Sequence, residues 1–247
     1  MREYGIGRRK GASFLFTAAD RRRITELLRA EGVDPGTSPQ AWTGLTRAES
    51  LTIGRHDKAT RAPVKRHRIS IKALPGHSLK VHEREYWLPP RAHLDVDATQ
   101  LGGIDHESLL VIENWEAFDQ LDRVRLDFTR CGQALVIWRG DRESTVDAAL
   151  MFVNASSLPV WAFVDYDPSG LVIAARLPRI AGVIAPPEQD LAARLQTGLA
   201  ERYLEQLPST QGVLDSVQNR DVQYLWSLIR AAGRALAQEV FIETHGA

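Results

Sequence analysis

Short, uninterrupted apolar runs alternate with mixed segments over the second half of the chain. Three of these runs have the length and composition of buried β-strands: Leu109–Ile112, Ala134–Trp138 and Val160–Val164. A shorter fourth run, residues 183–185, precedes two prolines. Strands that are apolar at every position must be covered on both faces, so this alternation predicts an α/β fold built on a parallel sheet.

Helical patterns fill the segments between and after these runs. Helices are predicted over Trp115–Thr129, Val146–Val153 and Leu171–Leu177. From Glu188 to the end the chain is predicted to be helical, with breaks near Pro208 and Gly212, because both residue types interrupt helices.

The first hundred residues follow a different pattern. Thr17 can cap a helix that runs to Glu31, and a second helix is predicted from Thr46. Apolar and polar positions then alternate over 69–71 and 79–81 around a proline–glycine turn, which predicts a β-hairpin. Helices followed by a hairpin are typical of a winged-helix-like α+β domain.

Charge is distributed unevenly along a chain whose formal net charge is zero. Residues 1–100 contain 19 Lys and Arg against 11 Asp and Glu, whereas residues 101–247 contain 12 against 20. A basic half joined to an acidic half is typical of a DNA-binding surface beside a cation-binding centre, and a solvated basic face is the alternative. The predicted DNA-binding residues are Arg55, Lys58, Arg61, Lys65, Arg66 and Arg68.

Composition adds a few limits. Hydrophobic residues make up 44% of the chain and charged residues 25%, which is ordinary for a globular protein. Cys131 is the only cysteine, so an intrachain disulfide is excluded and a reducing, cytoplasmic location is predicted. No apolar run approaches the roughly 20 residues of a membrane-spanning helix, so no membrane association is expected.

Acidic residues follow two of the predicted strands. Glu113 comes directly after the first strand, and Asp165 and Asp167 follow the third. Ligands of parallel sheets bind beyond the carboxyl ends of the strands, where these acids fall. Singly, each acid is more often a helix cap than a ligand, but all three together repel one another unless a cation neutralises them. Because hard carboxylate oxygens suit Mg²⁺ or Mn²⁺, the pattern predicts metal-assisted chemistry on a phosphate group.

These residues resemble the Toprim domain, a Rossmann-like α/β domain of primases, topoisomerases and a group of nucleases. An apolar strand ending in Glu113, a second ending near Gly140 and a third ending in Asp165-Tyr166-Asp167 follow the Toprim pattern in order. The Asp-Tyr-Asp-Pro-Ser-Gly motif of residues 165–170 is similar to the motif of topoisomerase VI and its meiotic relatives.

Two further segments resemble one particular group of Toprim nucleases. The Glu-Asn-Trp-Glu-Ala-Phe sequence of residues 113–118 and the Gln238-Glu239 pair resemble the nuclease subunit of Wadjet- or Mks-type condensin-like plasmid-defence systems. The sequence pattern and the resemblance together predict three regions: a basic winged-helix-like domain (1–104), a Toprim core (105–187) and a helical extension (188–247).

The resemblance also implies an activity. It points to a Mg²⁺- or Mn²⁺-dependent DNA endonuclease that acts with subunits of a condensin-like SMC complex. Asp165 and Asp167 would hold the metal, and Glu113 would be a further ligand or the general base. Replacing either aspartate with alanine is then expected to abolish cleavage and leave the fold intact. A homodimer is expected, because one such centre cuts one strand.

Departures from the family pattern leave alternatives open. Asn114 stands where other Toprim proteins commonly have glycine, which disfavours a primase or a type IA topoisomerase. A topoisomerase VI-like enzyme needs an active-site tyrosine, and Tyr86 lies among acidic residues that disfavour a nucleophile there. A non-catalytic or topoisomerase VI-like DNA-binding subunit is one alternative. A haloacid-dehalogenase-like phosphatase is another, although no lysine follows Lys80 and no later strand ends in paired acids.

Overall fold

The structure, a computed structural model, describes residues 5–43, 45, 47–53, 67–140 and 146–243. The chain divides into two compact units, residues 1–64 and 65–247. The division falls well before the predicted boundary at residue 104. The reason is that residues 68–97, which were predicted to belong to the N-terminal domain, contribute strands to the sheet of the larger unit.

The smaller unit begins with a short hairpin of β1 (Arg8–Lys10) and β2 (Ser13–Leu15). Two helices follow, α1 (Ala18–Ala30) and the single-turn α2 (Arg47–Ser50). The first predicted helix is confirmed, with Thr17 and Asp20 forming a capping box in which each side chain accepts a hydrogen bond from the other's main-chain N–H. The winged-helix-like arrangement stays a prediction.

The larger unit is built on a six-stranded, mostly parallel sheet, which confirms the predicted α/β fold. The strands of the unit are β3 (Arg68–Ala73), β4 (Leu79–Val81), β5 (Arg84–Tyr86), β6 (Leu94–Asp97), β7 (Ser108–Ile112), β8 (Ala134–Trp138), β9 (Val160–Phe163) and β10 (Ile180–Val183). The order across the sheet is β10-β9-β7-β8-β3-β6, and β4 and β5 form a separate antiparallel pair. Strands β10, β9, β7 and β8 are parallel, whereas β3 is antiparallel to both of its neighbours.

The strand order reverses at β7, which produces a topological switch point at the carboxyl ends of β7 and β9. Strand β7 lies between β8 and β9, so the chain moves to one side after β7 and later adds β9 on the other side. Residues that follow β7 and β9 therefore flank the point where the strand order reverses, which is the usual ligand site in open α/β sheets. The main-chain N–H of Glu113 donates to the carbonyl oxygen of Phe163 at 3.0 Å and joins the two strand ends.

Helices cover this sheet and form the C-terminal part of the unit. They are α3 (Trp115–Asp119), α4 (Val146–Ala155), α5 (Pro168–Ala175), α6 (Glu188–Leu195), α7 (Ala200–Leu214) and α8 (Arg220–Ala232). The helical tail is confirmed, but the predicted breaks at Pro208 and Gly212 are wrong, because α7 continues through both. Packing of α7 against α5 offsets the local cost of a proline and a glycine within the helix.

The core lies on the central strands. All five residues of β7 and all four of β9 are buried, as their uninterrupted apolar sequences predict. Within the described part of the chain, no helix combines the length and the apolar character needed to cross a membrane.

The helix predicted over Trp115–Thr129 is wrong beyond Asp119. After α3 the chain forms a 3-10 turn at Leu121–Arg123 and then becomes extended. Val124 forms an isolated bridge with Ile242, and the N–H of Arg125 donates to the carbonyl oxygen of Phe241 at 2.9 Å. Main-chain pairing with the distant C-terminal segment therefore replaces the helix.

The hairpin predicted over residues 69–81 is also wrong in its pairing. Strand β3 pairs with β8 and β6, and β4 pairs with β5. Lys72 is buried in β3. Its Nζ atom donates to the carbonyl oxygen of Asp119 at 3.1 Å and lies 4.6 Å from the centre of the Phe118 ring, so α3 covers this face of the strand.

Candidate functional site

The structure brings the three predicted acids together at the switch point of the sheet. Glu113 directly follows β7, Asp165 follows β9, and Asp167 precedes the first residue of α5. The Oε2 atom of Glu113 accepts a hydrogen bond from the main-chain N–H of Asp165 at 3.2 Å. The sheet edge therefore holds three carboxylates on two adjacent strand ends.

Asp165 is held in place by the C-terminal segment. Its side-chain Oδ1 accepts a hydrogen bond from the main-chain N–H of Gln238 at 2.9 Å, and the residue is only 6% exposed. The neighbouring Tyr166 exchanges two main-chain hydrogen bonds with Leu236, at 2.8 and 3.0 Å. The segment after α8 thus folds back onto the end of β9 and fixes this carboxylate.

Asp167 has a structural role of its own. It is fully buried, its Oδ1 caps α5 by accepting from the N–H of Gly170 at 2.7 Å, and its Oδ2 accepts from Nε2 of Gln206 at 3.0 Å. Loss of a helix cap costs about 0.5–2 kcal/mol, and alanine would also leave the Gln206 amide without this acceptor. Asp167→Ala is therefore expected to destabilise the protein, contrary to the expectation that it leaves the fold intact.

Arg202, on α7, supplies the positive charge at the two aspartates. Its Nη2 atom lies 2.6 Å from Oδ2 of Asp165 and 2.7 Å from Oδ2 of Asp167. Sequence reasoning missed Arg202 and Gln206. Their spacing of four residues predicts that they share a helix face, but no sequence signal places that face at this edge of the sheet. A haloacid-dehalogenase-like phosphatase requires a Lys or Arg later in the chain than its aspartates. Arg202 would meet this requirement, so its presence does not exclude the phosphatase alternative.

Glu113 is the acid of the cluster whose pKa is raised most clearly. Burial, together with the negative charges of Asp165 and Asp167, raises the pKa of Glu113 to about 7. The hydrogen bond from Asp165 and the charge of Arg139 lower this pKa by less. The folded protein thus holds a carboxyl group that exchanges its proton near neutral pH, which suits general acid–base chemistry.

A fourth carboxylate, Glu239, lies near the cluster. Its Oε1 accepts a hydrogen bond from the Asn114 side chain, which also caps α3 by accepting from the N–H of Glu116 at 2.9 Å. Burial is the main cause of a raised pKa for Glu239, and the charge of Asp165 adds to it. The Gln238-Glu239 pair therefore lies at the same sheet edge as the motif of residues 113–118.

The donor atoms can be compared with those of a divalent cation site. Carboxylate oxygens are the ligands that Mg²⁺ and Mn²⁺ prefer, and the negative charges of Asp165 and Asp167 add to burial in raising the pKa of Glu113. The arrangement itself differs from a metal site, because the Arg202 guanidinium lies between Asp165 and Asp167. Over the described residues, no group of three or more His, Cys, Asp and Glu side chains is arranged to hold a metal ion.

Gly170 fixes the distance between α5 and Asp165, and its replacement gives a first prediction. A Cβ atom at Gly170 would lie 2.3 Å from the main-chain oxygen of Asp165, so glycine is needed here for the close approach of the two segments. Gly170→Ala is expected to lower the free energy of unfolding by roughly 1–3 kcal/mol, measured by urea denaturation.

Gly212 in α7 provides the matched control for this substitution. A Cβ atom there would meet nothing within 4 Å, so Gly212→Ala is expected to raise the free energy of unfolding by about 0.5–1 kcal/mol. Equal effects of the two alanine substitutions would contradict the close contact at Gly170.

The predicted DNA-binding residues are mostly not described. Arg55, Lys58, Arg61, Lys65 and Arg66 lie outside the described residues. Arg68 lies at the start of β3, where its side chain forms an ion pair with Asp95 and also contacts the carbonyl oxygen of Asp95. Its charge is therefore already partnered within the protein. Tyr86 lies in β5 and is partly buried against the core.

The fold and the site define an α/β protein with an acidic centre at the switch point of a mostly parallel sheet. The chain belongs to the family described as a domain of unknown function, DUF7281, whose family model matches residues 66–246. This match begins almost where the larger structural unit begins. No curated protein matches the chain.

Proposed function

We propose that this protein is a Mg²⁺- or Mn²⁺-dependent DNA endonuclease that cleaves plasmid or other foreign DNA with a condensin-like SMC complex. The observation that carries the proposal is the cluster of Glu113, Asp165 and Asp167 at the switch point, with the pKa of Glu113 raised to about 7. Support for the defence setting comes from the motif resemblance at residues 113–118 and 238–239 alone.

In this proposal the two aspartates and Glu113 have different roles. Asp165, which is anchored by the Gln238 N–H, and Asp167, which also caps α5, would hold the cation. When bound, the cation would stabilise negative charge on the phosphate and on the leaving oxygen. Glu113 is either a further ligand or the base that takes a proton from the attacking water, which its pKa permits near neutral pH.

The negatively charged site requires help to hold DNA. Residues 101–247 carry 12 basic against 20 acidic residues, so the basic N-terminal part, a second copy of the chain or an SMC partner must supply the phosphate contacts. A homodimer would provide two centres for the two strands. We expect weak nicking by the isolated protein and stronger cleavage with a partner that presents the DNA.

A non-catalytic DNA-binding subunit is the second candidate, and one observation favours it. Arg202 pairs with both aspartates, and such a buried ion cluster can serve folding alone. The two candidates differ in the fate of DNA, because only the first converts it to product.

A supercoiled-plasmid assay, with molar mass measured by light scattering, tests this function. Wild-type protein in excess over plasmid is expected to be a dimer and to produce nicked circles in Mg²⁺ or Mn²⁺ but not in EDTA. DNA binding without any cleavage would favour the non-catalytic candidate. A monomer that linearises plasmid efficiently by itself would contradict the expected dimer and the need for a partner.

The predicted DNA-binding residues Lys65 and Arg66 give a second prediction, which concerns DNA affinity. Replacing Lys65 and Arg66 with alanine is expected to weaken DNA binding and to flatten its salt dependence. Each lost phosphate contact reduces the slope of log K against log salt concentration by roughly 0.9 on duplex DNA. Fluorescence anisotropy over a range of salt concentrations measures this slope.

Arg68→Ala is the control for the basic segment. Because Arg68 is paired with Asp95, its removal is expected to leave the slope nearly unchanged. A slope that is unaffected by the double substitution, or equally reduced by Arg68→Ala, would place the DNA contacts elsewhere.

A further inference from the structure

The guanidinium of Arg202 occupies the position between the two aspartates. One nitrogen, Nη2, is 2.6 Å from Asp165 and 2.7 Å from Asp167, so a single donor bridges both carboxylates. The side chains of these acids are 9% and 1% exposed, whereas the Arg202 side chain is 38% exposed. Of these three side chains, that of Arg202 is therefore the one that is open to solvent.

The two carboxylates are fixed without Arg202. Asp165 accepts from the N–H of Gln238, and Asp167 accepts from the N–H of Gly170, and both donors belong to the main chain. Arg202 reaches the site by a long, flexible side chain from α7, and within the described residues its ion pairs are with these two acids. Its departure would leave the positions of the carboxylates set by the main chain.

The charge balance of the cluster also favours replacement of the Arg202 guanidinium by a divalent cation. Arg202 forms ion pairs with Asp165 and Asp167, whereas over the described residues no ion pair involves Glu113, on which Arg139 acts only at longer range. A divalent cation at this position would balance more of the negative charge than a guanidinium does.

We propose that Arg202 is a displaceable counter-ion, which bridges Asp165 and Asp167 in the cation-free protein and leaves when a divalent cation binds between them. This inference rests on the proposed function for the identity of the site. It adds that cation binding must compete with a residue of the chain itself. The affinity for cations is consequently lower than the carboxylates alone would give, and Arg202 is more exposed in the cation-bound protein.

Mn²⁺ binding in the absence of DNA tests the competition. Free Mn²⁺ is measured by electron paramagnetic resonance with wild-type protein, Arg202→Gln and Arg202→Met. Both variants are expected to bind Mn²⁺ about tenfold more tightly or better, because the competing charge-assisted contacts are gone. Glu205→Gln, on the exposed side of the same helix, is expected to match the wild type. Equal or weaker affinity in the Arg202 variants, or no Mn²⁺ binding by any of these proteins, would overturn the proposal.

A second experiment uses the wild-type protein and does not depend on folding of a variant. Phenylglyoxal modifies accessible arginine side chains, and mass spectrometry locates each modified residue. Modification of Arg202 is expected to be several-fold faster in Mg²⁺ than in EDTA, while the exposed Arg220 is unaffected. An unchanged or slower rate at Arg202 would overturn the proposal. Neither experiment involves cleavage, so a protein that cuts no DNA could still show the displacement.

Discussion

At pH 8 and without divalent cations, Glu113→Gln is expected to be more stable than the wild type by up to about 3 kcal/mol. The folded protein has a Glu113 pKa of about 7, against the ordinary value of 4.5 for glutamate. Between these pH values the folded state holds a proton that the unfolded chain has released. Stability conferred by this group is therefore present at low pH and is lost as the pH rises from 4.5 through 7. Glutamine keeps an acceptor for the Asp165 N–H and does not ionise.

Thermal denaturation in EDTA at pH 5 and pH 8 measures this effect. The advantage of Glu113→Gln is expected to be small at pH 5 and to reach roughly 6–12 °C in Tm at pH 8. Glu205→Gln, an exposed change of the same kind, should show no gain that depends on pH. If the wild type and Glu113→Gln lose stability in parallel between the two pH values, Glu113 does not carry the raised pKa.

The second large effect is expected on cleavage. Asp165→Asn keeps the acceptor for the Gln238 N–H but removes the negative charge that would face the cation. Removal of one electrostatic group from an active site typically lowers the rate by roughly 10²–10³-fold, and loss of a cation ligand is expected to cost at least this much. Initial rates of plasmid nicking in Mn²⁺, with protein in excess, measure the loss.

The choice of asparagine is essential to this comparison. Asp167→Ala would remove the cap of α5, so lost activity in that variant would not separate chemistry from folding. Asp167→Asn retains the cap and is expected to lose activity with a smaller loss of stability. Glu205→Gln again serves as the control and should cleave at the wild-type rate. Cleavage by Asp165→Asn within a few-fold of the wild type would remove this residue from the mechanism.

The central strands could be predicted from the sequence because burial on both faces leaves an uninterrupted apolar run. Strand β8 has the predicted bounds, and β7 and β9 differ from prediction by one residue each. The elements that were predicted wrongly depend on contacts between distant segments. The extended chain at Val124 and Arg125 pairs with residues near the C-terminus, and β3 pairs with β8 instead of with β4.

In the candidate site, too, the residues attached to predictable strands could be placed, and those positioned by distant contacts could not. Glu113 and Asp165 could be placed together because each is attached to the end of a predictable strand, and parallel strands end at one edge. The groups that hold them could not be placed. Arg202 and Gln206 come from a helix whose orientation depends on packing, and Gln238 acts through its main-chain N–H, which carries no side-chain signal.

The proposed nuclease activity is tested by comparing the wild type with Asp165→Asn in cleavage of supercoiled plasmid in Mg²⁺, with DNA affinity determined on the same preparations. We expect both proteins to bind DNA equally, only the wild type to produce nicked circles, and EDTA to stop the reaction. Equal cleavage by both proteins, or DNA binding by the wild type with no cleavage in Mg²⁺ or Mn²⁺, would contradict this proposal.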